Sequence, residues 1–530
     1  MENRDFFLRE YPYCLLTEYF IRSYHITPEM QYEICSVSAR TLLKAQRFDL
    51  MAKWIYIDAK EKGIDMEDAR NLYVDHIHAF TQGQFVEPGN EAKNTAQKYL
   101  DTFDDLITEF RSHEFDPEVS LIPVGEGDVL LDGAHRCACA AYYNKNVTII
   151  RFPQIQRSFD YQFFEERELA DVWMDRMTLE YCHVREGIYF ACFWPVAYEK
   201  GLYEQALALL QEKCGDIFFE NEIDLDYNGL YNLMIQIYGH QSWTGTYENH
   251  HQGVKKKADS CYAKKPMRIV VFESSSLEAV VRTKEAIRDI FGLENHAIHI
   301  SDNDAETRLM AEILLNSQSR HFLKFGHPDN YVNFNRLFTE YRKRVMEYQK
   351  VNCYIIDSSS VLAVYGAREC RDLDFLTLDS DWSTLFTACD KIDNHEEQLG
   401  YYCISVKDML YNPRNYFVYQ GMKFLSLPVL RQMKQQRNEK KDRKDIKLID
   451  KLLRGKEISR KQKLRHEQKR KASRQEIVIK WKIRRNKVIE RILRRRFLGI
   501  VLLGCIYPVA IVLRKKEKWK AYSEVWHKER

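Results

Sequence analysis

At 530 residues the chain is too long for a single hydrophobic core, and at about 150 residues per domain it should divide into three or four units. Hydrophobic residues at 45% and aromatics at 13% exclude disorder over most of its length. The net charge of +3 conceals an asymmetry, because residues 431–496 hold 28 Lys/Arg against 8 Asp/Glu while everything before them is net acidic. A basic end on an acidic body points that end at an anionic partner, lipid or nucleic acid. The 13 cysteines form no C-x-x-C pair, which argues against a zinc knuckle or a thioredoxin motif. The opening MENRDFFLREYPY lacks the apolar run of a secretory signal, so reduced thiols in a cytoplasmic body are expected.

In chain order, residues 1–116 read mainly as helices. In EAKNTAQKYLDTFDDLITEF the apolar Tyr99, Phe103, Leu106, Ile107 and Phe110 recur at helical spacing. SLIPVGEGDVLLDG then predicts two short strands around a glycine-rich turn, AHRCACAAYY a helix and NVTIIRF a strand. Gly133, His135 and Arg136 fall where that helix starts. Its free N–H groups and positive dipole end make a plausible phosphate seat, against the plainer reading of a helix cap with an ion-paired arginine. His76 and His78 are candidates to complete the pocket.

The Gly-x-His-Arg turn, over residues 118–151, resembles the signature of ParB/sulfiredoxin-like domains, where such a turn contacts nucleotide phosphates. Sulfiredoxins carry a cysteine immediately before His-Arg; here that position is Ala134, and Cys137 lies out of register inside the helix. The resemblance therefore implies phosphate or nucleotide binding without sulfinic acid reduction. No helix-turn-helix of the kind a DNA-binding ParB protein needs is evident.

Residues 158–213 return to a helical pattern. Beyond them MRIVVFES is a strand, SLEAVVRTKEAIRDIF a helix, HAIHIS a strand and AETRLMAEILL a helix, an alternation that predicts a small α/β unit over 266–325. His299-Ile-Ser-Asp302 bears a faint likeness to the phosphorylated histidine segment of nucleoside diphosphate kinases but lacks its glycine, and an ordinary strand histidine is the expectation. SWTGTYENHHQG reads as loop.

A helix is predicted over 331–350. IIDSSSVLAVYGARECRDLDFLTL, residues 355–378, then carries the sharpest chemistry. A serine turn leads into an apolar helix, and the chain returns to Asp372-Leu-Asp374. Side chains two apart in a strand share a face, so the two carboxylates would lie about 7 Å apart and suit Mg²⁺ held together with nucleotide phosphates. The plainer reading is an edge-strand D-x-D. One long helix is expected over 427–453, with Lys434, Arg437, Lys441 and Asp445 on one face.

This arrangement is similar to the nucleotidyltransferase superfamily pattern: an apolar residue, Gly-Ser, about a dozen residues, then Asp-x-Asp. Ser358 stands where glycine is usual, and Ser359 takes the serine position. The segment with Lys434 resembles antitoxin- and abortive-infection-type nucleotidyltransferases. The resemblance implies metal ligation by Asp372 and Asp374, catalysis by these two with Asp408 as a candidate third carboxylate, and nucleotide binding by Ser358, Ser359 and Lys434. It implies Mg²⁺ and a nucleoside triphosphate, ATP or CTP, as cofactors.

The last element, FLGIVLLGCIYPVAIVL (497–513), is uncharged and framed by Arg494-Arg495-Arg496 and Arg514-Lys515-Lys516. At 1.5 Å per residue it spans about 25 Å, the lower limit for crossing a bilayer, and its flanks equally suit a segment lying in the interface. A buried core helix is the alternative.

The expectation is thus an α+β multidomain protein. A helical region with a ParB/sulfiredoxin-like module (1–157) leads into a helical and small α/β middle part (158–330). A nucleotidyltransferase-like domain (331–454) and a basic helix with a candidate membrane segment (455–530) follow. Two functions are open: a nucleotidyl- or phosphotransferase acting on a small-molecule or glycan-type acceptor, which the resemblance places near bacterial surface-polysaccharide synthesis, and a non-catalytic nucleotide-binding or assembly protein. Few aromatics accompany the basic segment, which argues against nucleic acid.

Overall fold

The computed structural model describes residues 6–86, 93–387 and 389–456. It is a mixed, mostly helical structure with three small sheets. The candidate membrane segment 497–513 and most of the basic stretch 431–496 lie outside the described residues. Among those described, no helix is long and apolar enough to cross a membrane.

The first sheet has β1 (Glu33–Ser38), β2 (Ile122–Val124) and β3 (Asn146–Arg151), in the order β1-β3-β2. β1 runs antiparallel to β3 and β2 parallel to it. The expected second strand after the glycine turn is reduced to a single bridge between Val124 and Leu130. β1 sits in the stretch read as helical; its burial does not alternate, so it carries no period-2 signal.

The second sheet has β4 (Ile188–Phe193), β5 (Ile217–Ile223), β6 (Met267–Glu273) and β7 (Ile298–Ile300), in the order β5-β6-β4-β7, antiparallel throughout. The two expected strands are therefore not neighbours in a parallel α/β unit. β4 lies between them, and every one of its residues is buried. A fully buried strand reads as an unbroken apolar run, which periodicity cannot tell from a helix. The expected helices Leu277–Phe291 and Asp304–Leu314 are present. The former packs Val280, Ile287 and Phe291 against Tyr189, Ala191 and Phe193.

The third sheet has β8 (Tyr354–Asp357), β9 (Leu373–Thr377), β10 (Ile392–Asn394), β11 (Tyr416–Tyr419) and β12 (Met422–Leu425), in the order β10-β9-β8-β12-β11. It is mixed, with β9 antiparallel to β8 and β10 parallel to β9. The outer edge of β11 is closed by helix Ser317–Phe325: Val418 N–H donates to Ser319 Oγ (3.0 Å) and Asn316 Nδ2 donates to the Tyr416 carbonyl (3.1 Å). Side chains thus replace a sixth strand and leave no open edge there for pairing.

Each sheet falls within one of the three expected stretches, yet residues up to Lys456 form one compact unit. Phe48, from the first stretch, packs its ring 5.0 Å from Phe218 on β5. Asp65 N–H donates to Asp408 Oδ1 (2.6 Å) across the first and third stretches.

Candidate functional site

β8 ends at Asp357, which is fully buried and accepts the N–H of Ser358 on its own carboxylate. Ser358 then adopts φ +59°, the left-handed region that favours glycine, before helix Ser358–Val364 runs on.

Antiparallel pairing sets Asp374 directly opposite Asp357, and directly opposite residues share a face. Asp372 immediately precedes β9 and is exposed; Asp374 is half-buried. Ser360 Oγ donates to the Asp372 carbonyl (3.3 Å), tying the serine turn to the approach to β9. The third carboxylate on this face is thus Asp357, the residue just before the serine turn. Its position was printed in IIDSSS, but its partner depends on strand pairing that only the fold supplies.

Asp357 is not open to a ligand. Its second oxygen holds His395 Nδ1 at 3.0 Å, and His395 N–H donates to the Phe375 carbonyl, prolonging β10 alongside β9. Burial pushes the Asp374 carboxyl up to about 6; His395 and the Ser358 hydroxyl oppose this, while Asp372 and Asp357 add to it. Burial alone would lower the pKa of His395. The hydrogen bond and charge of Asp357, with Asp374 beyond it, outweigh burial and raise it above the ordinary value.

The expected long helix breaks. Helix Leu427–Arg437 ends at Asn438 (φ +51°), and a second helix, Asp442–Leu453, turns back on it. Lys434 is consequently buried, with Asp445 at 3.0 Å and Asp442 at 3.5 Å from its Nζ. Arg437 bonds Asp442 with both ends of its guanidinium and reaches Gln398, three residues beyond His395. Lys434 therefore holds two helices together instead of being offered to a nucleotide. Asp408 is likewise engaged: Oδ2 caps helix Val406–Tyr411 through Ser405 N–H (3.1 Å) and Oγ (2.6 Å), and Oδ1 takes Asp65 N–H. Both oxygens serve the backbone, not the D-x-D face.

The second predicted site repeats the same local device. Asp132 accepts Gly133 N–H (2.6 Å), Gly133 is left-handed at φ +78°, and helix Ala134–Tyr142 begins at the next residue. The absence of a side chain here matters, since a Cβ would meet Arg136 Nη2 and Ile122 Cδ1, each at 2.9 Å. The Arg136 guanidinium lies back over the turn. His135 packs against Phe103 (4.9 Å between centroids) and hydrogen-bonds the Tyr73 hydroxyl (2.9 Å). Burial lowers its pKa well below the ordinary value, and the nearby Lys53, Lys93 and His76 add to this, so it is held neutral.

Beneath that helix lies a buried network. Arg47 pairs with Asp49, Asp49 with Lys53 Nζ (2.7 Å), and Lys53 meets His76 Nε2 (3.2 Å). His76 is spent on the network, and His78 is exposed on the opposite side of its helix. His299 on β7 is buried with its Nε2 3.0 Å from Glu306, bound to a carboxylate and not presented to solvent.

Among the described residues no three His, Cys, Asp or Glu side chains converge as a preformed metal cage. Two carboxylates with phosphate oxygens from a nucleotide are nevertheless a donor set that suits Mg²⁺, which dehydrates reluctantly and is usually held by one or two carboxylates plus substrate. Comparison of the chain with protein-family models, with curated proteins and with solved structures finds no match.

Proposed function

We propose that the face carrying Ser359, Asp372 and Asp374 binds a nucleoside triphosphate, ATP or CTP, together with Mg²⁺, and transfers a nucleotidyl or phospho group to a small-molecule or glycan-type acceptor. The observation that carries this is the β8–β9 register. It places Asp374 beside a left-handed serine turn and opposite a buried Asp357, with Asp372 open to solvent. Mg²⁺ bound there would neutralise phosphate charge and polarise the transferring group. The chain's own contribution is positional. The Asp357–His395 pair stiffens the floor beneath the Asp374 carboxylate. Asp374, destabilised as an anion by burial and by its carboxylate neighbours, gains from any cation placed between it and Asp372.

A second reading is binding without turnover. It is favoured by the engagement of Asp357, Asp408 and Lys434 in internal contacts. One experiment separates the two. Full-length protein is incubated with Mg²⁺ and labelled ATP or CTP, and both retention and product release are followed. Metal-dependent binding that is lost in Asp372→Asn/Asp374→Asn, with the fold retained, supports the site. Release of pyrophosphate, for nucleotidyl transfer, or of nucleoside diphosphate, for phospho transfer, then distinguishes transferase from binder. Undiminished binding in the double variant rejects the assignment altogether.

A cytoplasmic body attached to a membrane through 497–513 and its basic flanks would bring this face near lipid-linked acceptors. Fractionation of the full chain beside one ending at Lys480 tests that attachment.

A further inference from the structure

A cleft with about 610 Å³ of space, its open mouth included, lies where the three parts of the compact unit meet, lined by residues of 55–72, 172–179, 315–317 and 412–414. Junctions between structural parts are where small-molecule sites occur. Ile55, Leu72, Leu179 and Leu315 form the apolar part of the wall, with Trp173 alongside and Asp65 and Asp68 at its acidic part. The Trp173 indole is held in place by its Nε1–H bond to Asp75 (2.7 Å), and the Arg414 guanidinium lies 5.1 Å from its ring centre.

The polar groups of the cleft differ in how fully they are used. Asp68 is neutralised by Arg414 and receives Asn412 Nδ2 (2.9 Å). Asn316 accepts the N–H groups of Gln318 and Ser319 and donates to Tyr416. Arg176 stands apart. Its side chain is 20% exposed, its ion pair is with Glu180 one turn along its own helix at 3.5 Å, and it makes no hydrogen bond among the described residues. That separation exceeds the roughly 2.7–2.9 Å of a charge-assisted bond, so the planar donor fork of an arginine in a partly apolar cleft is left unmatched.

We propose that this cleft binds a small molecule with an apolar or aromatic body and one anionic group, the body against Trp173 and the aliphatic wall and the anion on Arg176. Neither nucleotide nor metal enters this proposal, and it stands whether or not the D-x-D face is active. The loop Asn412–Arg414 leads directly into β11, so an occupant would touch all three parts of the unit at once.

The test uses the full chain and a matched pair of probes, 1-naphthoate and 1-naphthamide, titrated by calorimetry. Naphthoate is expected to bind one per chain and at least about tenfold more tightly than the amide, the difference a charge-assisted bond makes. Arg176→Gln should bring the two affinities together. Val172→Trp, at an exposed position on the cleft, should weaken both at least about tenfold by filling the mouth while leaving the core untouched. The proposal is overturned if the native chain binds neither probe at millimolar concentration or binds both equally. It is equally overturned if the two variants leave naphthoate affinity unchanged.

Discussion

The turns at Asp132–Gly133 and Asp357–Ser358 are the same piece of backbone in two electrostatic settings. In each, an aspartate accepts the N–H of the next residue, that residue is left-handed, and a helix follows. Around Gly133 the neighbours are mixed, the cations Lys53, Lys93 and Arg136 outnumbering the carboxylates Asp49 and Asp132. Around Ser358 they are carboxylates, with one histidine drawn in against them. The backbone device is the same; its electrostatic setting is decided by side chains from distant segments.

The largest effect expected on this contrast comes from Asp357→Ala. Asp357 is fully buried and paired with His395, and removing one partner of such a pair costs about 3 kcal/mol or more. Urea denaturation should show the loss, whereas Asp132→Ala, at a half-buried aspartate, should cost less than about 1 kcal/mol. Equal losses at the two positions would mean that Asp357 serves only its turn.

Gly133→Ala should destabilise by about 1–2 kcal/mol, through left-handed strain and the contact with Ile122. Retention of full stability would show that the turn can relax, and that glycine is not what shapes the seat.

The two histidines should give opposite pH dependences. His395 has a raised pKa when folded, so its contribution is fully present below the unfolded value of about 6.5 and is lost as pH rises through the folded value. His135 has a lowered pKa, so the unfolded chain takes up a proton that the folded chain refuses, and stability falls as pH drops below about 6.5. His395→Gln should flatten the stability profile on the alkaline side of about 6.5, and His135→Gln on the acid side. Slopes of the same sign at both would break the contrast.

The smallest effect is Ser358→Gly. Relief of about 1 kcal/mol of left-handed strain is set against the roughly equal extra backbone entropy that a glycine loses on folding, so stability should shift by less than about 0.5 kcal/mol. A loss as large as that at Gly133 would show the serine hydroxyl to be the dominant contact.

What the sequence by itself determined is local. The helix Ala96–Ser112 buries Tyr99, Phe103, Ile107 and Phe110, as their spacing requires, because a helix places residues three and four apart on one side. The start of helix Ala134–Tyr142 after Gly133 follows from equally short-range geometry. Only the tertiary structure decided the rest. It set Asp357 opposite Asp374 and brought His395 in from 38 residues away. It folded Asp442 and Asp445 back onto Lys434, and it put β4 between β6 and β7. Each of these is a pairing between segments far apart in the chain, chosen by which burial and charge matches are jointly satisfiable, and no local period encodes that choice.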